Sequence, residues 1–75
     1  GNTGKYSREE AEVMLVHRGE FEIFCSHNGE ELITTLKNGD IFTFPKGATR
    51  NIKAKTFGFA YFVVGEDYPN TPKSK

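Results

Sequence analysis

Residues 39–50 read GDIFTFPKGATR, and this stretch decides the fold. Residues 41–44, Ile-Phe-Thr-Phe, are β-branched and aromatic throughout, the composition of a strand. Gly39 precedes the run and Pro45-Lys46-Gly47 follows it, turn residues of which the two glycines suit positions with φ above zero. The segment then ends on Arg50. A strand this apolar, carried through a turn to a long cation, raises the question of what that cation meets on the far side.

Outward from this stretch, the same grammar repeats. Asn38-Gly39 closes the preceding segment, and Asn28-Gly29 carries the signature of a two-residue hairpin turn. Between such turns, six short strands are expected, at residues 12–16, 20–25, 31–36, 41–44, 50–53 and 57–64. Ser7 with Glu10 three residues on matches a helix capping box. The run after it is short and passes into β-branched and aromatic residues, so a turn entering a strand is expected there instead. The tail, residues 66–75, is polar with two prolines and is expected to be irregular. The chain reads as a single domain over residues 1–75 with its core in about residues 5–65.

Composition agrees with an all-β domain. Seven Phe, three Tyr and eight Gly in 75 residues favour strands and turns over a helical bundle. Ten basic residues balance ten acidic ones, which argues against a nucleic-acid partner. No apolar run approaches the length of a membrane helix, so no membrane partner is expected. Cys25 is the only cysteine, which excludes an intrachain disulfide and points to a reducing, cytoplasmic setting.

In FGFAYFVV, residues 57–64, alternation puts Phe57, Phe59, Tyr61 and Val63 on one face and Gly58, Ala60, Phe62 and Val64 on the other. Both faces are apolar, the pattern of a strand covered on both sides. A chain this short has little material for the outer cover, and a second copy supplies it most simply. A homodimer is therefore expected.

These residues resemble the cupins, small double-sheet β-barrels of jelly-roll type. The second cupin motif runs Gly, five residues, Pro, one residue, Gly, two residues, His, three residues, Asn. Gly39, Pro45 and Gly47 fall on it, Arg50 stands at the histidine position, and Ala54 stands at the asparagine position. The first motif ends in Glu, six residues, Gly, a spacing that Glu12 and Gly19 match. Its two histidines would fall at Tyr6 and Arg8, or at Lys5 and Ser7. The resemblance implies an all-β cupin-like jelly-roll barrel, completed by a dimer partner, in which only the glutamate of the metal-binding set is kept. No metal site and no cofactor are expected, because one carboxylate beside cations cannot hold a divalent ion.

Two readings of Arg50 stand side by side. It pairs with Glu12 and fills the former metal position, or it binds a carboxylate or phosphate of an anionic small molecule. Candidate ligand-binding residues are Arg50, Glu12, Tyr6, Arg8 and Tyr61. The expected function is a small-molecule-binding or structural module. The alternative is an enzyme of the cupin superfamily, since Val16-His-Arg-Gly-Glu20 with Pro-x-Gly-x-x-Arg resembles the metal-free barrel of two-barrel ring-cleaving dioxygenases. His17 and His27 are read as solvated turn residues, which a hairpin could also bring near each other, and Cys25 as a buried, inert thiol.

Overall fold

A computed structural model describes residues 1–65 of the chain. The expectation of an irregular tail at residues 66–75 lies outside the described residues. Within them are seven strands and no helix: β1 (Tyr6–Ser7), β2 (Glu12–Arg18), β3 (Phe21–His27), β4 (Glu30–Leu36), β5 (Ile41–Phe44), β6 (Thr49–Ala54) and β7 (Phe59–Val64). They form two antiparallel sheets, ordered β1-β6-β3-β4 and β5-β2-β7. The capping-box stretch enters β2 as bends rather than a helix.

Turn chemistry sets this order. Asn28 and Gly29 both have positive φ (53° and 81°), as a two-residue turn matching the strand twist requires. With only two residues in the loop, pairing runs to His27 opposite Glu30, so β3 extends two residues beyond the expected end. The second Asn-Gly pair does different work. Asp40 N donates to the Lys37 carbonyl (2.9 Å), and the Asp40 carboxylate accepts from Lys37 N (2.8 Å). That turn carries the chain from the first sheet into the second, where Gly39 N donates to the Val16 carbonyl (2.8 Å). Pro45 to Ala48 turns it back, with Ala48 N donating to the Pro45 carbonyl (3.1 Å) and Gly47 at φ 80°.

The core lies between the sheets. Met14 and Val16 of β2 meet Phe21, Ile23 and Cys25 of β3, Ile52 of β6, and Phe44, with Leu36 and Ala48 closing the cluster. Burying each large apolar side chain stabilises the fold by about 1.5–3 kcal/mol. Alternation places Leu15 and His17 on the outer face of β2, and both are exposed.

Three expectations need correction. The two-residue β1 was missed, because two residues carry no periodicity. The last strand begins at Phe59 rather than at residue 57. Gly58 is pressed against the β2 end, where a Cβ on it would lie 2.5 Å from the Arg18 carbonyl oxygen, and Phe57 stands 96% exposed in the turn. Finally, the inner side of β7 is only partly covered by the described residues, with Ala60 against the core, while its outer side is left open, as an expected cover by a second copy allows. Phe59, Tyr61 and Val63 outside, and Phe62 and Val64 inside, all remain about half exposed.

Candidate functional site

Arg50 arrives in the interior because of the two turns. β5 ends at Phe44, directly opposite Glu12 at the start of β2. The Pro45–Ala48 turn then crosses to the other sheet, and β6 returns with Arg50 opposite Cys25 on one side and Tyr6 on the other. The second position of β6 thus points inward, across the gap from Glu12.

There the two side chains form an ion pair, with Arg50 Nη1 2.7 Å from Glu12 Oε1 and exposures of 0% and 2%. Arg50 Nη2 donates to the Ala48 carbonyl (3.0 Å), while Nε has no hydrogen-bond partner. The guanidinium is packed over the Phe44 ring (4.6 Å to the centroid) and near the Tyr6 ring (5.5 Å), contacts that favour a cation. Glu12 is held from its other oxygen as well. Arg8 Nε lies 3.2 Å from Oε2, on a side chain that is half exposed. The Tyr6 hydroxyl donates a long bond to Oε1 (3.5 Å). The backbone ties this end together, since Gly47 N donates to the Arg8 carbonyl (2.7 Å).

The surroundings shift two protons. Burial raises the Tyr6 hydroxyl pKa, and the Glu12 charge raises it further, against the opposing pull of Arg50 and Arg8. Burial likewise pushes the Cys25 thiol up, with Arg50 opposing. Both groups are therefore held in their protonated forms.

Of the five candidate residues, Arg50, Glu12, Tyr6 and Arg8 come together. Tyr61 does not join them. It lies opposite Leu15 on the outer face, its ring 6.1 Å from His17 and 5.1 Å from Phe59. His17 and His27 fall on different sheets, so the hairpin does not unite them. Cys25 is buried as expected, but a cation is not distant from it, because Arg50 is its register neighbour on β6. Sequence reasoning missed that proximity along with the Phe44 ring and the Ala48 carbonyl. The first two follow only from the pairing of β3 with β6 and the packing of the two sheets, which no local pattern reports.

Two antiparallel sheets closing on one inward motif end define a cupin-like fold. Solved structures agree. The cupin domain of Drosophila melanogaster CENP-C superposes with a TM-score of 0.80 at 18% identity, over 87% of this chain and 53% of that one. A structure of Drosophila CENP-C bound to CAL1 matches with a TM-score of 0.74 at 18% identity, over 87% of this chain and 56% of that one. Bacillus subtilis oxalate decarboxylase, a protein described with Mn(II) centres, matches with a TM-score of 0.78 at 24% identity, over 97% of this chain and 20% of that one. The chain thus spans about half the length of the CENP-C chains and a fifth of the decarboxylase. No family model matches the sequence, and no curated protein matches it.

A divalent metal does not fit the residues at this position. The one carboxylate has both oxygens engaged by guanidinium groups, and Arg50 brings a permanent positive charge where a neutral donor is needed. Among the described residues, no group of three or more His, Cys, Asp or Glu side chains is placed to hold a metal ion.

Proposed function

We propose that the chain is a non-catalytic cupin-like assembly module that pairs with a second copy of itself through the outer face of the β5-β2-β7 sheet. One observation carries this reading. Ile41, Leu15 and Tyr61 stand side by side across the three strands, Val63 and Phe59 extend the row along β7, and all five are exposed. A contiguous apolar surface of this kind marks an interaction site. Aromatic residues such as Phe59 and Tyr61 are enriched at such sites. The interior is compatible with this reading, because the buried Glu12 carboxylate is engaged by both Arg50 and Arg8. CENP-C, whose cupin domain has the similar fold, has been captured bound to CAL1, which is a precedent for a cupin-containing protein that holds another protein.

Sedimentation velocity over a concentration series tests the proposal. A dimer that Tyr61→Lys converts to a folded monomer supports it. A wild-type chain that stays monomeric throughout the series contradicts it.

A second reading, an anionic small molecule held at the motif end, is favoured by the half-exposed Arg8 guanidinium and the unpaired Arg50 Nε. Titration with inorganic phosphate and with oxalate, followed by the amide resonances of residues 6–12, separates it from the first. Saturable shifts lost in Arg8→Ala support it, and unchanged resonances remove it.

A further inference from the structure

The sheet carrying Arg50, which is not the sheet of the self-association face, also has an open edge. Among the described residues, β4 pairs with β3 alone and so forms an edge of the β1-β6-β3-β4 sheet. The hairpin geometry says which backbone groups that edge offers. His27 and Glu30 close a two-residue loop and exchange hydrogen bonds, and bonded and non-bonded pairs then alternate along the ladder. Glu30, Leu32, Thr34 and Leu36 therefore bond to β3. Glu31, Ile33 and Thr35 turn their N–H and C=O groups outward.

Natural edges are blunted by prolines, lysines or bulges. β4 has none of these; its seven residues, EELITTL, pair with β3 without a register shift, and its charges are confined to Glu30 and Glu31 at one end. Ile33 is 66% exposed on the outer face and Leu32 47% exposed on the inner one. Beside the edge lies a cavity of about 420 Å³ whose lining joins the apolar Cys25, Leu32, Phe42 and Pro45 to His27, Thr43, Glu30 and Glu31. The edge thus combines outward backbone donors and acceptors, a partly apolar recess beside it, and two carboxylates at one end.

We propose that β4 is a docking edge for an extended segment of another protein that adds as an antiparallel strand and carries Lys or Arg opposite Glu30 and Glu31. Its inward side chain next to Leu32 is apolar and covers Phe42. Main-chain bonds supply the affinity of such strand addition, and the alternate side chains supply the selectivity. Charge complementarity decides between this occupant and a second copy. Two β4 edges paired antiparallel about Ile33 place Glu31 against Thr35 and Glu30 against Leu36, so neither carboxylate meets a cation.

The test uses the intact chain and a capped hexapeptide, threonine-valine-isoleucine-leucine-lysine-lysine, with a glutamate-tailed version as the control. Amide hydrogen exchange is read residue by residue. The lysine peptide is expected to slow exchange at Glu31, Ile33 and Thr35, while Leu32 and Thr34 are already protected by β3. It is expected to bind roughly tenfold more tightly than the control, the ratio for about two exposed ion pairs. Ile33→Pro removes only an outward-facing donor, so it should fold normally and lose the peptide. Three results would overturn the proposal: no added protection, equal binding of both peptides, or protection that appears with protein concentration alone, which would assign the edge to a second copy.

Discussion

Arg50 and Glu12 lie 38 residues apart in sequence and 2.7 Å apart in space, and neither side chain meets solvent. Arg50 stands at the cupin motif's histidine position and Glu12 at its glutamate position. The geometry that would converge two ligands on a metal here converges a cation on an anion. A buried pair of this kind is costly to break from one side, because the remaining charge stays desolvated. Arg8, half exposed, offers Glu12 a partial substitute, whereas Arg50 has no second carboxylate within the contacts it makes.

Alkaline pH should weaken the fold before the arginines titrate. The folded pKa values of Cys25 and Tyr6 are both raised. Each group contributes stability that is full below its unfolded pKa and is lost as pH rises through the folded value. The loss therefore begins above about pH 8.5 for the thiol and about pH 10 for the phenol. Urea titrations from pH 7 to 11 should show falling stability, with a flatter alkaline limb in Cys25→Ala. An alkaline limb unchanged in that variant would show that the thiol does not carry it.

Gly58→Ala should cost more than Gly39→Ala. At residue 58 a methyl would meet the Arg18 carbonyl at 2.5 Å and the Gly19 Cα at 3.1 Å, and both are backbone atoms. Overpacking of this sort costs about 1–3 kcal/mol. At residue 39 a methyl meets nothing within 4 Å, so only the left-handed φ of 85° is penalised, by about 1–2 kcal/mol at most. Thermal melts of the two variants give the order directly, and equal shifts would contradict the close approach of the two turns.

Much of this fold was legible because turn residues punctuate it. The second motif's glycines marked the turns on either side of β5, and residues 41–44 became β5 as written. Arg50 against Glu12 was one of two readings that the cupin resemblance left open. The partners around them were not legible, since Phe44, Ala48 and Cys25 reach the guanidinium only after the sheets pack face to face. β1 escaped notice because it is two residues held by β6 rather than by its own pattern. Tyr61 was named with the site, while alternation along β7 puts it outside.

Charge placed on the outer face should separate self-association from folding. Leu15→Lys and Tyr61→Lys change exposed side chains and leave the core cluster intact, so each should lower stability by less than about 0.5 kcal/mol. Each should nevertheless shift sedimentation toward the monomer. Association unchanged in both variants would move the contact to another surface.

A double-mutant cycle on Arg50→Met and Glu12→Leu tests the central relationship most directly, with unfolding free energy from urea titration as the readout. Each single change should cost about 3–5 kcal/mol, while the double change should recover most of the loss and fold cooperatively. Single losses that add, leaving the double variant the least stable of the four, would contradict the buried pair as a coupled element of the core.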